Sequence, residues 1–249
     1  MRETWLYCPT LRPGPLTLAD SEARHAVQSL RLRAGDAVTV FDGNGHLGRG
    51  AIEAPSTAAS KTNRRQPLTL LVETIQTIPR STHELTLIVP GCKGARLDWL
   101  IEKGTELGVS RFILAEFEHS IVRTGPQHAR KLERTAIEAC KQCHRAWLPQ
   151  IESGGSLVAA IAAVAGATLL VAHLEPEAPA LASWLNTHSS ATARLAAVIG
   201  PEGGLSAMEI EALRLAGGQM IRLAKHVLRV ETAALAVAAC WAAAAPAAA

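Results

Sequence analysis

LAAVIGPEGGLSAMEIEALRLAGGQMIRLAKHVLRVETAALAVAACW, residues 195–241, opens as an apolar run, breaks at Gly200-Pro201-Glu202-Gly203-Gly204 and resumes with a helical pattern. Gly203 and Gly204 permit positive φ and close approach of a ligand to bare backbone, while Pro201 stiffens the entry. Ser206 and Glu209 stand at the S-x-x-E spacing of a capping box, and Gly217 is placed to stop the helix. The stretch reads as strand, rigid turn and sharply started helix. A tight connection would ask nothing more of it. A phosphate loop would ask for G-x-x-x-x-G-K-[ST] or G-x-G-x-x-G, and neither spacing is present, which disfavours a nucleoside triphosphate or a dinucleotide.

Working outward, strand and helix patterns alternate from Glu84 on: ELTLIVP then ARLDWLIEKGTELG, RFILAEF then ARKLERTAIEACKQCHRAW, ATLLVAHL then ALASWLNTHS, RLAAVIG then SAMEIEALRLAG, QMIRLA then ETAALAVAACWAAAA. A short helix, SLVAAIAAVAG, precedes the third strand. Strands apolar on both faces are those of a parallel sheet covered by helices, so an α/β domain of about five or six strands is expected. Ligands of such sheets bind on the turns after the strands. Three turns qualify: VAHLEPE (171–177), GPEGGLS (200–206) and LAKHVLRVET (223–232).

The first 78 residues read differently. LADSEARHAVQSLRL offers Asp20 as an N-cap for a short helix, and DAVTVFDGNGHLGRGAIEA offers two strands around the Asp42-Gly43-Asn44-Gly45 turn. PSTAASKTNRRQP, with Lys61, Arg64 and Arg65, reads as an exposed loop, and Pro79-Arg80-Ser81 as the boundary to a second domain over 79–249. The chain's net charge of +3 lies wholly in its first third, where residues 1–80 hold ten Lys/Arg against seven Asp/Glu. A basic, β-rich module of this kind suits phosphate contact.

Other classes are disfavoured. The N-terminal MRETWLYCPTLRPGP lacks the apolar core of an export signal, so a cytoplasmic protein is expected. Five scattered cysteines suit reduced thiols better than a disulfide framework. The tail from Ala233 to Ala249 is alanine-rich, broken by Pro246 and short of the roughly 20 residues a bilayer needs, so it reads as a buried or interface helix rather than a membrane span. Cys140-Lys141-Gln142-Cys143-His144 matches the C-x-x-C-H haem pattern, yet it sits within a helical run and no second cluster accompanies it. No metal is expected, since zinc would want four ligands.

VIGPEGGLSAMEIE followed by LRVETAALA and a final helix resembles the RsmE family of 16S ribosomal RNA uridine-N3 methyltransferases, members of the SPOUT superfamily. The resemblance runs nearly the full length: HAVQSLRLRAGDAVTVFDGNG is similar to that family's PUA-like RNA-binding module, and KGARLDWLIEKGTELGVSRF to its first catalytic-domain helix and next strand. It implies a C-terminal SPOUT domain whose parallel sheet carries a trefoil knot, a feature that general rules of chain topology would exclude. It also implies S-adenosylmethionine as cofactor, 16S ribosomal RNA or the small subunit as partner, and a homodimer through the C-terminal domain around Ala236, Cys240 and Trp241.

By the same resemblance the cofactor site takes Ala172, His173, Gly200, Glu202, Gly203, Gly204, Leu223, Leu228, Arg229 and Thr232, while Lys225 and His226 read as a solvated turn. N3 of uracil must lose a proton as the ring becomes an enolate-like anion, and a cation near its oxygens lowers that barrier. Arg229 is the candidate for that cation, or else a structural partner of Glu231 or Glu202; Glu202 or Glu231 is the candidate proton acceptor. RNA is expected across Arg24, Arg31, Arg33 and Arg49 of the first module and Arg123, Gln142 and Arg145 of the second. The chain departs from the family at Lys141, Cys143 and His144, where E-Q-S-G-R is usual, and at His119, where Arg-Ser is usual. A ribose 2′-O methyltransferase of the same superfamily and a non-catalytic RNA-binding assembly factor are the competing readings.

Overall fold

The computed structural model describes residues 3–53, 68–188 and 192–244; the loop carrying Lys61, Arg64 and Arg65 and the last five alanine-rich residues lie outside them. The chain packs as two units, Met1–Arg80 with Cys140–Leu148, and Ser81–Ala139 with Pro149–Ala249.

The first unit is built on a five-stranded sheet of order β1-β3-β4-β5-β2, from β1 (Trp5–Tyr7), β2 (Gly14–Thr17), β3 (Ala37–Phe41), β4 (His46–Ile52) and β5 (Thr69–Thr77). β1 runs parallel to β3 and the other pairs are antiparallel. Alternation puts Leu6, Val38, Val40, Leu70 and Val72 into one buried cluster. The β3–β4 turn is fixed by Asp42, whose Oδ1 accepts from the backbone N–H groups of Asn44 at 2.7 Å and His46 at 3.1 Å. Asp20 does not cap its helix: Ala19 holds the cap position of α1 (Asp20–Arg24), and Asp20 lies in the first turn, where a carboxylate complements the helix dipole. A π-helical turn, His25–Ser29, follows.

Residues 140–148 join this unit through specific contacts. Lys141 Nζ sits 3.1 Å from Glu22 Oε1, with both side chains largely buried. The His144 ring stacks on Trp5 at 5.1 Å and 2°, and the Trp147 indole N–H donates to the Ile78 carbonyl at 3.0 Å. Gly45, with φ +89°, backs onto Trp147 so closely that a Cβ would lie 2.5 Å from the indole. The C-x-x-C-H stretch therefore ends its helix rather than sitting inside it. His144 adopts φ +60°, and burial pushes the Cys140 thiol up to about 12, so these groups serve packing.

The second unit is a six-stranded sheet, parallel throughout, of order β11-β9-β10-β6-β7-β8. Its elements in chain order are β6 (Glu84–Val89), α2 (Arg96–Glu106), β7 (Arg111–Glu116), α3 (Pro126–Cys143), β8 (Gln150–Ser156), α4 (Leu157–Ala162), β9 (Thr168–Ala172), α5 (Leu181–His188), β10 (Arg194–Ile199), α6 (Ala207–Leu215), β11 (Gln219–Ile221) and α7 (Val230–Ala244). The last residues of α3 belong to the first unit. β8, QIESGGS, carries no apolar run to announce it; it is an edge strand, paired among the described residues with β7 alone. Ile88, Ile113, Leu169, Val171, Ala196 and Val198 form a buried cluster along the sheet.

α7 buries Ala233, Ala234, Val237, Ala238 and Trp241. Trp241 is 3% exposed, its ring stacked on His83 at 3.7 Å and 3°, which corrects its expected place in a subunit interface: the indole is spent inside its own chain. Ala236 and Cys240 are half-buried. Among the described residues no helix is long and apolar enough to cross a membrane.

Candidate active site

β9, β10 and β11 lie side by side, so the turns after them meet at one edge of the sheet. Between them is a cavity of about 410 Å³ lined by Ala172, His173 and Leu174, by Ile199 to Leu205, and by Leu223, Ala224, His226, Val227, Leu228, Val230 and Ala233. All three turns singled out in the sequence contribute. Ala172, His173, Gly200, Glu202, Gly203, Gly204, Leu223 and Leu228 are thereby brought together.

The glycine turn is held from both sides. The Gly204 N–H donates to the Pro201 carbonyl at 2.8 Å, and Gly204 has φ +79°. The capping box is formed: Ser206 Oγ accepts from the Glu209 N–H at 3.3 Å, and Glu209 Oε2 accepts from the Ser206 N–H at 2.8 Å. The other Glu209 oxygen accepts from the Glu118 N–H at 2.8 Å, tying the loop after β7 to the same helix start. In that loop His119 Nδ1 donates to the Gly204 carbonyl at 3.1 Å, and a Cβ on Gly203 would lie 2.8 Å from His119 Cβ. The departure at His119 thus touches the turn itself.

Three expected residues stand outside the lining. Arg229 and Thr232 are exposed, and Glu231 is buried on the inner face of α7. Arg229 is not the structural partner of either carboxylate. That place belongs to Arg96, which sequence reasoning passed over: its guanidinium lies 3.7 Å from Glu202 Oε1 and 3.7 Å from Glu231 Oε1. Arg229 makes no side-chain hydrogen bond or ion pair among the described residues. His226 was expected in a solvated turn; it is exposed but lines the cavity, whereas Lys225 lines a neighbouring hollow. His173 Nδ1 is buried without a hydrogen-bond partner.

Of the residues expected to meet RNA, Arg24, Arg31, Arg33, Arg49, Arg123 and Gln142 are exposed. Arg145 is half-buried, and burial pushes its guanidinium below the ordinary value. Gln142 and Arg145 lie in the first unit, not with the sheet that carries the cavity, because Lys141, His144 and Trp147 fasten their segment there. Among the described residues no group of three His, Cys, Asp or Glu could hold a metal ion.

Residues 79–242 match the RNA methyltransferase domain family, and residues 18–57 the RNA methyltransferase PUA domain. The chain belongs to the RNA methyltransferase family. Within it, the protein is similar to Ribosomal RNA small subunit methyltransferase E of Synechocystis, 28% identical over 222 residues that span 88% of this chain and 69% of that one. The Bacillus subtilis protein of the same name is 27% identical, across 88% of this chain and 86% of its own. The solved structure of the Neisseria gonorrhoeae enzyme bound to S-adenosyl methionine superposes with a TM-score of 0.79 at 26% identity, over 96% of both chains. A Legionella pneumophila methyltransferase in complex with bound cofactor SAM gives 0.83 at 25% identity, over 98% of both. The resemblance to the RsmE family, the small β-rich PUA-like module and the parallel methyltransferase sheet are borne out.

Proposed function

We propose that this RNA methyltransferase transfers a methyl group from S-adenosylmethionine to N3 of a specific uridine in 16S ribosomal RNA of the small subunit. The cavity carries the reading: three β-strand turns converge on one hollow with bare glycine backbone on one wall and Leu223, Val227 and Leu228 on another. Such a lining fits a nucleoside-bearing sulfonium, which needs backbone groups for a base edge and apolar walls for its sugar and chain. His173 Nδ1, buried without a hydrogen bond and 3.7 Å from Glu175 Oε1, is a polar group a ligand would satisfy. When bound, S-adenosylmethionine would supply a methyl carbon that an electron-rich nitrogen attacks, the C–S bond breaking with its electron pair so that the neutral thioether leaves.

The chain's own residues supply the rest. Glu202, half-exposed on the cavity wall, is the acceptor for the N3 proton in preference to Glu231, which is buried and outside the lining. Arg229, exposed and flanked by two lining residues, is the cation for the oxygens of the uracil anion. RNA is delivered by residues 1–78 acting as the RNA-binding domain, with the 140–148 segment that packs with them, while the remainder of 79–249 acts as the catalytic domain and the exposed arginines neutralise phosphates. The resemblance adds a trefoil knot around the site, a homodimer through the second domain and action in the cytoplasm.

The deciding experiment offers purified protein and labelled donor to small-subunit particles lacking the modification. Labelled nucleoside that coelutes with a 3-methyluridine standard in mass spectrometry is the expected product. Label on a ribose oxygen would replace this reading with 2′-O methylation, and absence of donor binding by calorimetry would replace it with a non-catalytic RNA-binding role.

A further inference from the structure

Strand order sets β6 directly beside β10, so the segment after β6 runs next to the glycine turn after β10. Arg96 opens α2 at the end of that segment. Its guanidinium spans Glu202, which lines the cavity, and Glu231, in the first turn of α7, at 3.7 Å from each. Glu231 is 7% exposed and its Oε2 is buried without a hydrogen-bond partner, so Arg96 is the charge that makes this carboxylate tolerable there. The same two loops, 200–205 and 223–230, form two walls of the cavity.

We infer that Arg96 is a positioning residue of the donor site: by joining Glu202 to Glu231 it fixes the glycine turn against the start of α7 and brings these three groups to one net negative charge beside a cavity that takes a cation. The inference rests on the donor site proposed above. Cys92, between β6 and Arg96, lies in the field of the same groups: burial, then the Glu231 and Glu202 carboxylates, push its thiol up to about 12, with Arg96 acting against them. Arg96 is 40% exposed on its side chain, and among the described residues it makes none of the side-chain hydrogen bonds that would mark it as a helix cap or a strand staple.

The test is calorimetric titration of the full chain and of its Arg96→Met and Arg96→Lys variants. The titrants are S-adenosylmethionine and its neutral thioether product, S-adenosylhomocysteine, and ligand-free thermal unfolding is measured alongside. Arg96→Met is expected to weaken both ligands on the order of tenfold. The product should lose more than the donor, because the wall becomes more negative. Arg96→Lys should recover part of the loss. A purely structural arginine would lower the unfolding temperature without moving the ratio of the two affinities, and that outcome overturns the inference. Unchanged affinities in Arg96→Met overturn it equally. Should Arg96→Met fail to fold, Arg96→Met/Glu231→Gln removes the stranded charge and is expected to fold with loosened ligand binding; wild-type affinity there also overturns it. A wild-type chain that binds neither ligand overturns the donor site itself.

Discussion

At the scale of single residues, Glu202, Arg229 and Gly203 separate by what surrounds them. Arg229 is exposed and among the described residues has no side-chain partner to release, so Arg229→Ala should leave thermal stability near wild type. It should lower kcat by about 10²–10³-fold, the size seen when one donor to a developing oxyanion is lost. Steady-state kinetics on particles lacking the modification would read this; an unchanged kcat would remove Arg229 from the mechanism. Gly203→Ala places a methyl 2.8 Å from His119 Cβ, so the turn must shift and donor affinity should fall, with His119→Gly restoring room. Glycines, capping box and the three turns were all legible from the chain alone, because each is a local pattern. Arg96 was not legible. Nothing within α2 announces a partner more than a hundred residues away, and the pairing follows only from β6 and β10 being neighbours.

Among the elements, α6 and α3 carry the clearest expectations. Ser206→Ala removes the oxygen that accepts from the Glu209 N–H and should cost about 0.5–2 kcal/mol in chemical denaturation, with donor binding weakened because the capped turn is a cavity wall. Lys141→Met takes the Lys141 cation from the largely buried Glu22, which keeps the Tyr7 N–H at 3.1 Å, and should cost about 3–5 kcal/mol, whereas Lys141→Met/Glu22→Gln, neutral and still an acceptor for Tyr7, should recover most of it. A double variant as unstable as the single one would refute the buried-pair account. The end of α3 shows where local reading stops. C-x-x-C-H looked like a stretch of continuous helix, but His144 turns to positive φ to stack on Trp5, a contact set by residues far apart in the chain. β8 escaped for the opposite reason: an edge strand buries little, so its sequence carries little signal.

For the molecule as a whole, burial holds His83 below its ordinary value, partly offset by the Trp241 carbonyl that its Nε2 approaches at 3.4 Å. The folded chain therefore takes up this proton less readily than the unfolded one. The stabilisation is complete above the ordinary histidine value, about 6.5, and is lost as pH falls from there through the lower folded value. Melting temperatures across that window should drop in the wild type and flatten in His83→Phe, which keeps a ring against Trp241; parallel curves would dismiss the stack as the source. RNA affinity should fall steeply as salt rises, and an affinity insensitive to salt would remove the exposed arginines from the interface. One consequence concerns synthesis. β6 waits for β10 before it gains its second neighbour, and the cavity's last wall, Val230 and Ala233, is translated after every strand of the sheet. A nascent chain can thus assemble its sheet while still unable to hold a ligand. Competence arrives only when α7 clears the ribosome, the very particle whose RNA the finished chain is proposed to modify.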